Sequence, residues 1–266
     1  MARRRSPRSA GSATPVRVES TLGVLELVPD PDRRAGRVLL IDGHIHGYVD
    51  LDDPSHLELD YVARIGGALE VLAPRGAAAD VLHLGGGAFS LPRFLASTRP
   101  QVRQTVVERS AAVIKLAEKH LRLKRGERLR VVCGDGRVTV ERSDDERYDL
   151  VIGDAFVGVE TPTGMATADF AAEVRRTLRP DGAYLLNVID QPPWPVVATQ
   201  VAHLRDAFGH VVGFAGREVA RRKHAGNMLL LASDAPLPLD ALHRRLAGGA
   251  HPAEVLSGEQ LVAAYG

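Results

Sequence analysis

The sequence contains little cysteine and no long apolar segment. Cys133 is the only cysteine among the 266 residues, which excludes an intramolecular disulfide bond and a zinc site built on cysteines. No apolar run approaches the roughly 18 residues that a membrane-spanning helix needs. The arginines at the start of the chain are not followed by the apolar stretch of about 7–15 residues that marks a secretory signal. We therefore expect a cytoplasmic protein.

An excess of one charge is also missing. The chain has 34 basic and 33 acidic side chains, for a net charge of +1. Arg3, Arg4, Arg5 and Arg8 lie in the opening MARRRSPRSAGSATP, so the remainder has 30 basic against 33 acidic side chains. This Ser-, Pro- and Ala-rich opening cannot bury a core, and we expect residues 1–15 to be a disordered basic arm. The remainder has no evident basic stripe, which disfavours a nucleic-acid partner.

Two apolar and partly alternating segments precede the main body of the chain. They cover residues 16–28 and 37–51, and the turn-forming PDPDRRAG joins them. This pattern predicts a small N-terminal β unit over residues 16–52, either a β-hairpin or a small sheet. A helix-capping signal, DPS at 53–55, then opens a stretch with apolar residues at helical spacing.

From residue 80 onwards, short apolar strands alternate with helix-like segments. The strands are VLHL, QTVVE, RLRVVC, YDLVIGD and GAYLLNV, and a helix-like segment follows each of them except RLRVVC. Such alternation predicts an α/β fold with a doubly wound, mostly parallel, Rossmann-like sheet, here one domain over residues 53–266. VVGFAG and NMLLLAS predict two further strands at the sheet edge, and the C-terminal residues predict a helical tail.

Glycines and acids follow four successive predicted strands. GGG follows the first strand, Glu108 ends the second, and Asp135 and Asp154 follow the third and fourth. Open α/β sheets bind ligands beyond the carboxyl ends of their strands, and an acid after the second strand can accept hydrogen bonds from both ribose hydroxyls. The pattern predicts a nucleoside or nucleotide site, unless the two aspartates only cap helices or turns. NAD is a competing ligand, although a GDG after the third strand favours an adenine amino group.

Several ordered motifs resemble the spermidine synthase (polyamine aminopropyltransferase) family, within the class I methyltransferase-like fold. LLIDGHIHGYVDLDDPSHLELDYV is similar to the family's N-terminal “DG–Q–D–YHE” motif, and VLHLGGGAFS is similar to its “GGGDGG” turn. VVERS, VVCGDGR and YDLVIGDAFVG resemble the segments that hold the ribose, the adenine and the catalytic aspartate. The resemblance extends over residues 37–195.

The resemblance implies a transferase with a sulfonium nucleoside as co-substrate, either decarboxylated S-adenosylmethionine or S-adenosylmethionine, and no metal. The aminopropyl group would pass to a small-molecule amine, with Asp154 as base or amine orienter, and the protein would form a homodimer. The residues implied for nucleoside binding are Gly85, Gly86, Gly87, Glu108, Asp135, Gly136 and His46, and those implied for substrate binding are His56, Asp190 and Trp194.

Two family carboxylates are absent from this sequence. Ala88 replaces the acid of the glycine turn, and Val157 replaces the second acid after the fourth strand. The loss of charge partners for a dicationic diamine weakens the case for synthesis of spermidine from putrescine. A small-molecule methyltransferase and a non-catalytic nucleoside-binding homologue are the alternatives, and the presence of Asp154 favours an enzyme.

Some of these residues have a structural alternative. It is a helix start for His56, the cap of a turn for Asp190 and a place in the core for Trp194. His44 and His46 lie two residues apart on a predicted strand and so face the same side. No third metal ligand is evident beside them, and we expect no metal site.

Overall fold

The computed structural model describes residues 14–158 and 160–265, which form two sheets. The first is a four-stranded antiparallel sheet of β1 (Val16–Ser20), β2 (Gly23–Pro29), β3 (Gly36–Ile41) and β4 (His44–Asp50). The predicted small N-terminal β unit is a four-stranded sheet, because each of the two apolar segments turns back on itself. The tight turns at residues 21–22 and 42–43 split them into four strands.

The second sheet has eight strands in the order β12-β10-β11-β9-β8-β5-β6-β7. Their bounds are β5 (Asp80–Leu84), β6 (Arg103–Glu108), β7 (Leu129–Cys133), β8 (Tyr148–Gly153), β9 (Leu178–Asp190), β10 (His210–Ala215), β11 (Gly226–Ser233) and β12 (Glu254–Leu256). Strands β5 to β9 are parallel, whereas β11, β10 and β12 add to the β9 edge as antiparallel strands. The predicted α/β fold with a mostly parallel sheet is confirmed.

Helices cover both faces of this sheet, as the alternating pattern predicts. They are α1 (Asp60–Leu72), α2 (Ser90–Thr98), α3 (Ala111–His120), α4 (Gly136–Glu141), α5 (Ala168–Thr177), α6 (Pro195–Ala207), α7 (Arg217–Ala220), α8 (Leu239–Leu246) and α9 (Gly258–Tyr265), with a 3₁₀ turn at Thr163–Met165. The C-terminal residues form the helices α8 and α9, and the three residues of β12 between them join the sheet. Such a short strand carries too little alternation for a sequence pattern to reveal it.

Three apolar clusters hold these layers together. One packs α5, α6 and α9 on one face of the large sheet, and another packs α1, α2 and α8 on the opposite face. The third joins the small sheet to α3 and to the outer strands β6 and β7. The small sheet is thereby fixed beside the carboxyl end of the large one. Within the described ranges, no helix has the length and apolar character to cross a membrane.

The predicted arm at residues 1–15 falls almost entirely outside the described residues, of which the first is residue 14.

Candidate functional site

A cavity of about 360 Å³ lies at the carboxyl ends of the parallel strands. The glycine turn after β5, the ends of β6, β7 and β8, strand β4 and the start of α1 all contribute to its lining. The strand order places β8 and β9 on one side of the glycine turn and β6 and β7 on the other. The cleft therefore has a half over β5 to β7 and a half over β8, β9 and β11.

The glycine turn packs directly against the loop that follows β8. Gly85 has a φ of +101°, and a Cβ at this position would overlap the backbone oxygen of Asp154. The backbone amide of Asp154 donates to the Leu84 carbonyl at 3.0 Å. Only a glycine allows this approach, so the first glycine brings the turn and the aspartate together.

Glu108 is buried at the end of β6, with 7% of its surface exposed. Its Oε2 accepts a hydrogen bond from the Gly86 amide at 3.0 Å, and its Oε1 accepts one from the Ser110 amide at 2.8 Å. Each carboxylate oxygen has a further lone pair. The backbone thus fixes a carboxylate that can accept two more hydrogen bonds from a ligand in the cleft.

Asp135 combines a helix cap with a position in the cleft. It is the N-cap of α4, and its Oδ1 accepts from the Val138 amide at 3.1 Å. The structural alternative of a cap is therefore realised. Its Oδ2 accepts no hydrogen bond from the described part of the chain, and both Asp135 and Gly136 line the cavity. The residue can cap the helix and contact a ligand at the same time.

Asp154 lies in the other half of the cleft, at the end of β8. The Asn187 side-chain amide on β9 donates to its Oδ1 at 2.8 Å, and Asn227 on β11 in turn donates to the Asn187 oxygen at 3.0 Å. Burial raises the pKa of Asp154 to about 6, against the lowering effect of the Asn187 hydrogen bond. Burial, and to a lesser extent the charge of Asp154, raises the pKa of Tyr61, which lines the same cavity. A carboxyl with this pKa can exchange a proton near neutral pH.

Strand β4 closes the side of the cleft next to the glycine turn. A Cβ on Gly47 would lie 2.6 Å from the Ala88 Cβ, and Ala88 is 2% exposed. His46 and His44 line the cavity from the same strand, and burial lowers the pKa of His46. Among residues 14–158 and 160–265, no group of three or more His, Cys, Asp or Glu side chains is arranged to hold a metal ion.

Three predicted substrate-binding residues are not brought to the cavity lining. Asp190 accepts hydrogen bonds at 2.9 Å and 2.8 Å from the amides of Val196 and Val197, so it caps the start of α6. Trp194 is 1% exposed and packs in the core. His56 pairs with Glu58 at 2.7 Å. Asp190 and Trp194 occupy the positions of their structural alternatives.

The structure adds Asn187, Asn227 and Tyr61 to the residues that the sequence indicates. Asn187 is the one strongly polar side chain within the strand GAYLLNV, which is the signal that a search for buried polar residues would find. Asn227 begins an antiparallel strand, and only the pairing of β11 with β9 brings it to the cleft. Tyr61 lies near the start of α1, in the segment that follows the small sheet.

Similarity to known proteins agrees with this geometry. Residues 55–218 match the methyltransferase small domain family. A polyamine aminopropyltransferase of Vibrio vulnificus is 28% identical over 160 residues, which cover 59% of this chain and 50% of that protein. An eEF1A lysine and N-terminal methyltransferase homolog of Drosophila pseudoobscura pseudoobscura is 32% identical over 118 residues, which cover 41% of this chain and 18% of that protein. The chain thus spans half or less of these two relatives.

The crystal structure of a probable spermidine synthase from Corynebacterium glutamicum is similar over most of its length. It superimposes with a TM-score of 0.86 at 27% identity, covering 94% of this chain and 92% of that one. The match includes both the small sheet and the large sheet, since nearly the whole described chain is aligned. The family match also covers more than half of the chain. The chain therefore belongs to the methyltransferase small domain family and has the class I methyltransferase-like fold in its spermidine synthase-like form.

Proposed function

We propose that the protein transfers an aminopropyl group from decarboxylated S-adenosylmethionine to an amine, with Asp154 as the base or amine-orienting group. The observation that carries the proposal is the position of Asp154. Its carboxyl group has a pKa of about 6, is held by Asn187, and lies in the same cleft as the fixed carboxylate of Glu108. One half of the cleft thus suits a nucleoside, and the other half suits a proton acceptor.

The residues over β5 to β7 fit a nucleoside. The two free lone pairs of Glu108 suit the two hydroxyls of a ribose, and the uncommitted Oδ2 of Asp135 suits the adenine amino group. The glycine turn at 85–87 lines the cavity without side chains, which leaves room for the sugar. His46 lies on the strand that faces this turn and is a candidate contact to the nucleoside.

Asp154 handles the proton of the attacking amine. In a bound sulfonium nucleoside, the amine lone pair forms the new N–C bond while the C–S bond breaks and its electron pair stays on sulfur. The pKa of a free alkyl amine is about 10, well above the value of about 6 for Asp154. Burial already accounts for the raised pKa of Asp154, and desolvation of a bound amine would lower the amine's pKa, which reduces this difference. The ionised carboxylate can therefore hold the ammonium and accept the proton that nitrogen loses.

The names of the relatives support an amine acceptor. One relative is named as a transferase acting on polyamines, and the other is named as a methyltransferase of lysine and of N-termini. These names share a nitrogen nucleophile and differ in the group transferred. Asp154 would act on the nitrogen nucleophile, which is what the two names have in common.

Methyl transfer to an amine is the second candidate, and the position of Ala88 favours it. A decarboxylated donor carries an ammonium at the end of its aminopropyl group, and Ala88 places no acid in the turn. S-adenosylmethionine carries the same ammonium next to its own carboxylate, which offsets that charge within the donor itself. The two donors are separated by their nucleoside products, which are methylthioadenosine and S-adenosylhomocysteine.

A binding experiment tests the nucleoside half of the cleft. Isothermal titration of the protein with methylthioadenosine measures its affinity in the wild type and in Glu108→Gln. The variant keeps an oxygen for one backbone amide but loses the carboxylate, so we expect a loss of affinity of about 10- to 100-fold. Glu141→Gln, which changes a carboxylate outside the cavity lining, is the matched control and should bind like the wild type. Equal affinities of Glu108→Gln and the wild type would contradict this placement.

A further inference from the structure

All but one of the acidic side chains that line the cleft already have an ion-pair partner or lie in the half that suits a nucleoside. Four acidic residues line the cavity, namely Asp60, Glu108, Asp135 and Asp154. Asp60 forms an ion pair of 2.8 Å with Arg64, whose side chain is 9% exposed. Glu108 and Asp135 lie at the ends of β6 and β7, in the half that suits a nucleoside. Asp154 is the acid that faces the half over β8, β9 and β11 without a cation among the described residues.

The surroundings of Asp154 are neutral or apolar. Asn187 and Asn227 supply amides, Tyr61 supplies a phenol whose pKa is raised, and Ile189 lines the cavity from β9. Ile45 lines the cavity from β4 with 60% of its surface exposed. A ligand that extends from Asp154 would meet these groups. Residues outside the described ranges contain no aspartate or glutamate that could add a second charge partner.

Val157 marks a position where a second acid would be accessible. It is 50% exposed and stands between Phe156 and Gly158, both of which line the cavity. It pairs with Glu160 only through backbone hydrogen bonds, so its side chain does not support the loop. A carboxylate introduced here would meet solvent and would not be forced into the core.

We infer that the acceptor is a monoamine with an uncharged, apolar body, because the acceptor half of the cleft can neutralise one ammonium and not two. This inference rests on the proposed transfer to an amine. A second ammonium on the acceptor would lose water without gaining a charge partner, and it would add to the ammonium that a decarboxylated donor already carries, which is unfavourable. Replacement of that ammonium by a methyl group removes the cost and adds apolar contact.

A matched pair of acceptors tests the inference. Putrescine and n-pentylamine have the same chain length and differ by an ammonium in place of a methyl group at one end. Each is assayed separately with decarboxylated S-adenosylmethionine and with S-adenosylmethionine, and products are measured by mass spectrometry. We expect kcat/KM to be at least tenfold higher for n-pentylamine with whichever donor reacts. Equal values, or a preference for putrescine, would overturn the inference.

A gain of charge at residue 157 provides the second arm. Val157→Asp adds a carboxylate beside the cleft, and Val157→Asn adds a side chain of the same shape without the charge. We expect Val157→Asp to reduce the preference for n-pentylamine at least threefold, and Val157→Asn to leave it near the wild-type value. An unchanged preference for n-pentylamine in a folded Val157→Asp variant would count against the inference.

Equilibrium binding separates this inference from the proposed reaction. Protein saturated with methylthioadenosine is titrated with each amine. If neither donor is consumed but n-pentylamine binds more tightly than putrescine, the proposed reaction fails and the inference stands. If putrescine binds as tightly or more tightly, or if neither amine binds to the nucleoside-loaded protein, the inference fails whatever the turnover.

Discussion

The Asn187 side-chain amide on β9 donates a 2.8 Å hydrogen bond to the Asp154 carboxylate at the end of β8. Asn227 on β11 fixes the orientation of that amide by donating to its oxygen. Two strands thus hold one carboxyl group whose pKa is raised to about 6 by burial. The pKa of Asp154 depends on this contact, because the hydrogen bond favours the ionised form of the carboxyl group, whereas burial favours the neutral form.

Asn187→Leu should shift the pH dependence of the reaction. The leucine removes the amide that stabilises the ionised carboxylate, so the pKa of Asp154 should rise further above about 6. A hydrogen bond to a charged group contributes about 1.5–3 kcal/mol, which corresponds to about one to two pH units. The rising acid limb of kcat/KM against pH should move upward by that amount. Asn227→Ala, which affects only the orientation of Asn187, should shift it less, and an unmoved limb in a folded Asn187→Leu variant would exclude the proposed role.

Asp154→Asn should lower turnover and increase stability. Loss of the proton acceptor should reduce kcat by about 10²- to 10⁴-fold. Since the pKa of Asp154 is higher in the folded protein than the usual 3.8, its stabilising contribution is lost as pH rises from 3.8 through about 6. The asparagine avoids this cost. The free energy of unfolding of Asp154→Asn, measured with urea at pH 7.5, should therefore exceed that of the wild type by about 1–3 kcal/mol. Asp206→Asn, at an exposed carboxylate, is the control; a loss of stability in Asp154→Asn would contradict the account.

His83 should make the fold sensitive to acid. It is buried in β5, its Nε2 contacts the Gln104 oxygen at 2.9 Å, and burial lowers its pKa to about 4. The unfolded chain therefore binds a proton between pH 6.5 and 4 that the folded chain does not, so stability falls as pH falls through this window. Between pH 7 and pH 4, the free energy of unfolding measured with urea should fall by about 3 kcal/mol more in the wild type than in His83→Gln.

The control for this prediction is His210→Gln, at an exposed histidine. Its pH dependence should follow that of the wild type. Parallel pH profiles of the wild type and His83→Gln would show that burial of His83 has no energetic consequence.

Ala88→Asp should destabilise the protein without creating a site for a diamine. Ala88 lines the cavity but packs closely against Gly47 of β4 and is 2% exposed, so a carboxylate there would be crowded and desolvated. The free energy of unfolding of Ala88→Asp, measured with urea, should be lower than that of the wild type by about 3 kcal/mol or more. Val157→Asp places the same side chain at a half-exposed position and should cost less than about 1 kcal/mol. Similar stabilities of the two variants would show that β4 does not seal the turn.

The fold was predictable because its main signals are local. Strands β5 to β8, of five or six residues each, alternate with helices, and the acids at 108, 135 and 154 fall at strand ends, where a parallel sheet binds its ligands. The roles of the aspartates were not predictable in the same way. The amides that surround an aspartate decide its role, so Asp190 caps α6 while Asp154 faces the cleft, although both directly follow or end a strand.

Long-range pairing accounts for the residues that the sequence did not indicate. Asn187 and Asn227 are 40 residues apart and meet only because β11 pairs with β9. The close approach of Gly47 to Ala88 likewise joins two sheets, and no local pattern contains it. Sequence patterns indicate which residues lie at one edge of a sheet. The contacts between neighbouring strands determine whether each of these residues caps a helix or faces the cleft.

The most direct test of the account is the product of the reaction itself. Purified protein is incubated with decarboxylated S-adenosylmethionine and n-pentylamine, and the mixture is analysed by mass spectrometry. The account predicts equal amounts of methylthioadenosine and aminopropylated amine in the wild type, and formation of both at least about 100-fold slower in Asp154→Asn. If the wild type and Asp154→Asn form the product at the same rate, or if only S-adenosylhomocysteine appears in a parallel reaction with S-adenosylmethionine, aminopropyl transfer through Asp154 is contradicted.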